Sequence, residues 1–424
     1  MTGQGTDGSR RPGAGRRSFL SAVGTTALSG LAGCSSGILD DVTGTDAAGT
    51  GPNAAGATDR STATPHGMNG PKAEHSGWPR YHYDTWNTGH RTDPVDFDGR
   101  PAVEWETPVG EVTSLVAADG IVYLAEARTG VIRAVEAASG EERWTYDAVG
   151  TLELGVKSVA LDDDTVYVGG GAAVHAIDQA TGEQRWTFEI STAATAPVVA
   201  DGTVYVGAGE VLFAIDPNGE REWALRTGAR LRNPPAVVED TLYLTAKAWL
   251  IAVDRASGDE LWSLKPANAT PPVTAPVYRA GRLYVGAPLH VHAYDPAAEG
   301  DHLWSTESLN QVIYDSPAVA NGQVYTSVGQ GDTLFAFDAG TGERTWDRSI
   351  TLAGSPIVVD DAVYCVDVVA GTLRTFDATD GSDRWTLDFD RSVNVQPIVT
   401  DDRIYVAGRD SGGDEGTLYA LGAQ

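Results

Sequence analysis

From residue 103 onwards, short apolar stretches alternate with Gly, Asp and Asn at a regular beat. Residues 196–226 show the unit. Ala196-Pro197-Val198-Val199-Ala200 reads as a short buried strand with its proline at the start, where no ladder donor is lost. Asp201-Gly202 supplies a two-residue hairpin turn, because both residues tolerate the positive φ that such turns demand. Thr203-Val204-Tyr205-Val206-Gly207 alternates apolar and exposed positions as a second strand. Val211 to Asp216 gives a third, and Glu222-Trp223-Ala224-Leu225 a fourth, outer one.

The unit recurs. Tryptophans fall at 105, 144, 186, 223, 262, 304, 346 and 385, spaced 37–42 residues apart, and tyrosines at 123, 167, 205, 243, 284, 325, 364 and 405 run between them. Four short strands per unit of this length predict an all-β, eight-bladed β-propeller of four-stranded blades. One blade alone leaves its apolar faces wet, so the ring supplies the core. Val103-Glu104-Trp105 precedes the first tyrosine strand, and Leu418-Tyr419-Ala420-Leu421 has no tryptophan after it. The economical closure puts the N-terminal strand on the outside of the last blade, which removes the seam.

Residues 1–33 read as an address rather than as fold. Arg16-Arg17-Ser18-Phe19-Leu20 is a twin-arginine pattern, followed by an apolar run too short and mild to span a bilayer. Leu31-Ala32-Gly33-Cys34 resembles a lipobox, with Cys34 as the acylated residue; a cleaved signal with an incidental cysteine is the other reading. Together they predict a lipid anchor on the outer face of the cytoplasmic membrane after twin-arginine export. Residues 34–77 hold almost no large apolar side chain and are expected to be a disordered tether, leaving residues 78–424 for the propeller. Removing residues 1–33 removes four arginines and Asp7, taking the net charge from −28 to −31.

That charge narrows the partners. Asp and Glu outnumber Lys and Arg 58 to 30, an excess that repels nucleic-acid phosphate and anionic lipid. With only four lysines the composition resembles that of proteins from salt-loving organisms, of haloarchaeal type, in which carboxylates keep the surface hydrated. Two cysteines, Cys34 and Cys365, exclude a disulfide framework.

The link between third and fourth strands carries a motif. Ala176-Ile177-Asp178-Gln179-Ala180-Thr181-Gly182-Glu183-Gln184-Arg185-Trp186 resembles the AxDxxTGxxxW docking motif of pyrroloquinoline-quinone (PQQ)-type propellers. Close copies run from Ala252 to Trp262, Ala336 to Trp346 and Ala134 to Trp144. Trp78-Pro79 through Asn87-Thr88-Gly89 is similar to the lead-in before such propellers. The resemblance implies the fold over residues 78–424. It leaves function open, because these repeats serve quinoprotein dehydrogenases and also a non-catalytic lipoprotein scaffold of bacterial outer-membrane assembly.

Innermost strands line a propeller's channel. Aligned units place Thr113, Lys157, Thr195, Asn233, Thr274, Asp315, Gly354 and Val395 in one ring, with Arg232, Tyr314, Asn394 and Gln396 beside it. This ring diverges between repeats, so it is the candidate ligand rim: Lys157, Arg232, Asn233, Tyr314, Asp315, Asn394 and Gln396. A quinoprotein reading needs cations for the PQQ carboxylates, hard oxygen ligands for calcium and an aspartate base. Lys157, Arg232, Asn233 and Asp315 could take those parts. The chain departs from that pattern in lacking an adjacent-cysteine disulfide and in being shorter. No cofactor is therefore expected, with PQQ and calcium as the alternative.

The remaining motifs have structural readings. Cys365 takes a strand position held by Val168, Val206 and Val285 in sister units, so it reads as a small buried hydrophobe. His290-x-His292 sits where other units merely carry bulk. Asp163-Asp164, Asp360-Asp361 and Asp401-Asp402 align with hairpin turns, and residues 408–416 form a longer acidic loop. Three readings follow: a surface binding or scaffold module, a PQQ- and calcium-dependent dehydrogenase, and a structural component without a discrete site. A partner protein or small ligand at the cell surface is expected for the first, as a monomer or within a hetero-complex.

Overall fold

The structure is a computed structural model that describes residues 77–93, 99–148, 158–265, 274–313, 315–328, 333–350, 354–393, 395–409 and 415–423. Arg16, Arg17, Cys34 and the expected tether up to residue 76 lie outside them, as do Lys157, Tyr314, Asn394 and most of the acidic loop at 410–414.

Eight antiparallel sheets succeed one another along the chain, each running from an inner to an outer strand. We number the blades from the first sheet: blade 1 spans residues 112–147, blade 2 159–189, blade 3 198–226, blade 4 236–264, blade 5 277–305, blade 6 318–349 and blade 7 357–388. Blade 8 is composite, its inner strands lying within residues 392–409 and its third strand being Gly416–Gly422. Its outer strand is the N-terminal Ala102–Val109, which pairs antiparallel with Gly416–Gly422 so that Trp105 faces Ala420. The clasp expected from Val103-Glu104-Trp105 is present and longer than those three residues.

The repeat dictates its own geometry. In blade 3, Asp201 and Gly202 sit at φ 50 and 79, as the mirror-image hairpin turn requires. The inner strand starts at Val198, after Pro197, which has no N–H to give a ladder. In the docking motif, Asp178 Oδ1 accepts from Ala180 N at 3.0 Å, Thr181 N at 2.9 Å and Thr181 Oγ1 at 3.0 Å. Gly182 then takes φ +74, and a Cβ there would lie 2.7 Å from the Trp144 ring of the preceding blade. Trp144 Nε1 donates across the same boundary to Gln179 O at 3.0 Å. Trp186, Trp223, Trp304 and Trp346 make the same inter-blade bond at 2.9–3.2 Å. Trp105 of blade 8 reaches Ala137 O of blade 1 at 3.1 Å, so the seam is joined like the other boundaries. The core accordingly lies between blades: Tyr123 and Trp144 of blade 1 pack with Leu161, Val166 and Ile177 of blade 2.

Candidate functional site: a plugged central channel

An inner strand has one partnered edge and one edge facing the channel, a row of unpaired backbone groups in need of partners. The lead-in segment supplies them. Gly77 and Trp78 pair with Ala118 and Ala117 of blade 1. Leu161 N of blade 2 then donates to Pro79 O at 2.9 Å, and Arg80 donates to Val199 O of blade 3. Val237 N of blade 4 donates to Thr85 O at 2.7 Å, and Tyr278 N of blade 5 to Trp86 O at 3.0 Å. Val319 N of blade 6 donates to Thr88 O and Val358 N of blade 7 to Gly89 O, both at 2.9 Å. Arg91 Nη1 closes the circuit on Val399 O of blade 8 at 2.9 Å, while its Nη2 meets Asp401. Residues 77–91 therefore visit all eight hubs in chain order.

The sharp curvature forces unusual backbone. His82, Tyr83 and Asn87 take φ 55, 72 and 58. Asn87, only 1% exposed, donates from Nδ2 to Pro235 O and Pro276 O, both at 3.1 Å, tying blade 4 to blade 5. Asp84 caps the following turn, accepting from Trp86 N at 3.1 Å and Thr88 N at 2.9 Å. Burial raises the Asp84 carboxyl to about 6, against the opposing Thr88 bonds. Burial also lowers His82 to about 4 and His90 to about 3.

The plug bonds the turn-proximal ends of the inner strands. Of the residues expected at the channel rim, all but Thr274 among those described line one of two cavities. One, about 310 Å³, is lined by Arg232 and Asn233 together with Tyr81, Ser158, Thr195 and Arg230. The other, about 200 Å³, brings Asp315 and Gln396 together with Thr113, Gly354, Arg80 and Tyr81. Tyr81 and Ser158 belong to both linings. Thr274 lines neither; it is 1% exposed and its hydroxyl accepts from Gly286 N at 2.9 Å, a structural role. Burial pushes the Asp315 carboxyl and the Tyr81 phenol above their ordinary values. The Tyr81 hydroxyl lies 3.5 Å from Ser355 Oγ.

Of the residues a calcium–quinone centre would call on, Arg232, Asn233 and Asp315 fall in these two linings, and Lys157 lies outside the described residues. Among the described residues Asp315 is the one carboxylate lining the second cavity, and no cluster of three His, Cys, Asp or Glu could hold a metal. Arg230 and Arg232 line the other cavity, and Arg80 spends its guanidinium on the Val199 carbonyl. Reading the rim from the repeat alone missed Arg80 and Tyr81, because the lead-in has no counterpart in the repeats.

The other motifs have structural places. Cys365 is 1% exposed within the core between blades 6 and 7, and burial drives its thiol pKa far up. His292 is buried on blade 5, its Nδ1 2.7 Å from Ser305 Oγ, and His290 Nδ1 lies 2.9 Å from Thr306 O. Asp163 and Asp360 sit at positive φ in hairpin turns.

Comparison with known proteins fits this geometry. The chain belongs to the family described as outer membrane protein assembly factor BamB, whose model matches residues 128–270, 246–370 and 352–424. It is similar in structure to BamB from Moraxella catarrhalis (16% identity, TM-score 0.63, covering 76% of this chain and all of that one). It is also similar to the quinohemoprotein alcohol dehydrogenase of Comamonas testosteroni (15%, TM-score 0.68, 82% of this chain and 80% of that one). A europium-containing methanol dehydrogenase matches at 12% identity and TM-score 0.68, over 82% of this chain and 98% of that one. At such identities these likenesses show the propeller fold. In sequence, 161 residues are 26% identical to the serine/threonine-protein kinase AfsK of Streptomyces griseus, covering 34% of this chain and 20% of that protein. The chain thus spans about one fifth of that relative's length.

Proposed function

We propose that this chain is a non-catalytic binding or scaffold propeller, exported by the twin-arginine route and held by a lipid on Cys34 at the outer face of the cytoplasmic membrane. The observation that carries the reading is the plugged channel: residues 77–91 bond to the inner strands of all eight blades, and the described rim residues line two small cavities against that plug. Family membership supports it, since the family is named for an assembly factor. So does the surface, where Leu261 and Leu303 on adjacent blades 4 and 5 are 53% and 43% exposed.

The alternative is a PQQ- and calcium-dependent alcohol or sugar dehydrogenase, favoured by the likeness to two dehydrogenase structures. Calorimetric titration of the full chain in high salt with PQQ and calcium separates the two. The scaffold reading expects heat equal to buffer. Saturable heat that disappears in Asp315→Ala or Arg232→Ala overturns it. Cross-linking at the cell surface, followed by identification of neighbours, then finds the partner.

A further inference from the structure

Sister blades are eight copies of one experiment, so a position that departs from its copies can be read against them. In blade 2, Arg185 stands just before the docking tryptophan and is gripped by two carboxylates. Its Nη1 meets Asp164 Oδ1 of the hairpin turn at 2.5 Å and Thr165 Oγ1 at 2.7 Å, and its Nη2 meets Asp178 Oδ2 at 2.7 Å. Blade 7 repeats the clamp: Arg384 Nη1 meets Asp361 Oδ1 and Nη2 meets Asp377 Oδ2, both at 2.7 Å.

Blade 4 keeps the clamp and lacks the arginine. Asp240 occupies the turn position, Thr241 follows it, and Asp254 ends the third strand opposite Thr241, in the register that sets Asp178 opposite Thr165. Asp254 Oδ1 takes the same three local bonds, from Ala256 N at 3.1 Å, Ser257 N at 2.8 Å and Ser257 Oγ at 2.9 Å. The bulge before the tryptophan also recurs, at Ala252/Val253 as at Ala176/Ile177. The residue in the arginine's place is Leu261, 53% exposed. Among the described residues, neither the Asp240 carboxylate nor Asp254 Oδ2 meets a side chain. Blade 1 relieves the same spot. There Arg143 pairs with Glu136, which ends the third strand, at 3.2 Å. Blade 5 has Gly281 at the turn and so no clamp to fill.

We propose that Asp240, Thr241 and Asp254 of blade 4 form a docking point for an arginine side chain presented by a partner protein, with Leu261 and Leu303 receiving the apolar residues that flank it. The guanidinium seen twice in the equivalent place fixes the ligand class: a planar fork matches the two carboxylates, whereas an ammonium engages them only as a point charge. The exposed leucine where the arginine stood turns an internal ion pair into an apolar step beside two acids, which suits an arginine with apolar neighbours. A chain of net charge −28 adds long-range attraction for a basic segment. This inference names the partner chemistry of the binding-module reading and rests on it.

The test uses the full chain and dye-labelled acetyl-Leu-Arg-Leu-amide, with its lysine and citrulline counterparts, read by fluorescence anisotropy. Saturable binding in the order arginine, lysine, citrulline is expected, weakened about 3–5-fold by Asp240→Asn or Asp254→Asn, as single exposed pairs are. Leu261→Arg fills the clamp from within; it should abolish peptide binding and raise the thermal midpoint, which also shows that this variant folds. Equal binding by the parent and Leu261→Arg, or no preference for arginine over citrulline, overturns the proposal. Either failure leaves the PQQ titration and the cross-linking result untouched, so the two readings fall separately.

Discussion

Asn87 is the place to weaken the plug. Its side-chain amide bonds two buried prolyl carbonyls on different blades, and its backbone stands at φ 58. Asn87→Gly keeps the left-handed backbone at no steric cost but deletes both bonds. Each is worth about 1 kcal/mol net, and a buried acceptor left alone costs about 1–3 kcal/mol, so the loss should be about 2–5 kcal/mol. Asn87→Ala loses the same bonds and adds about 1–2 kcal/mol for a Cβ in the left-handed region. Urea unfolding followed by tryptophan fluorescence gives the midpoints, with the order Asn, Gly, Ala from most to least stable. A Gly variant within about 0.5 kcal/mol of the parent would refute the bridging role, since surface changes fall in that range. A Gly variant less stable than Ala would refute the strained-backbone argument.

Acid should loosen the hub. His82 and His90 titrate near 4 and 3 in the fold, below the unfolded imidazole, so the stability they contribute is full above pH 6.5 and drains as pH falls toward 4. At pH 5 each costs about 2 kcal/mol, partly offset by about 1 kcal/mol from Asp84, whose raised pKa acts in the opposite sense between pH 6 and 4. Urea midpoints from pH 7 to 4 should therefore fall, and fall more steeply in Asp84→Asn; a flat profile would contradict the burial of both rings. Gly182→Ala should cost about 2–4 kcal/mol, because a Cβ at φ +74 would press on Trp144, and a thermal midpoint unchanged from the parent would sink that contact. Cys365 should react with a thiol reagent only as fast as the protein unfolds; rapid modification of its peptide in native buffer would show it is not sealed in the core.

The repeat made the fold legible. Tryptophan and tyrosine spacing marked eight units, and the order of the first and last strands revealed the clasp, because both are consequences of local patterning repeated in register. The channel was only partly legible. Alignment put Asp315, Asn233, Arg232 and Gln396 in or beside one ring, and the described members line two cavities of the channel without any signal in the repeat for which of them share a lining. It offered no means of placing Tyr81 or Arg80, whose segment occurs once and bonds to backbone groups of the inner strands, which carry no side-chain signature. The blade 4 clamp was hidden for a different reason. Leu261 before Trp262 looks unremarkable until Arg185 and Arg384 show what Asp164/Asp178 and Asp361/Asp377 do with that position.

The plug also sets a timetable for making this protein. Residues 77–91 are synthesised before every blade, yet their partners emerge one at a time, from Ala117 to Val399. The strand Ala102–Val109 waits longer still, for Gly416–Gly422. A nascent chain therefore carries an unsatisfied hub and an unpaired edge through nearly the whole of translation. Contacts of such separation make completion slow and late. A ribosome that stalls after blade 7 would leave seven blades around a segment with nowhere to end, so quality control has one clear event to monitor: the arrival of the eighth.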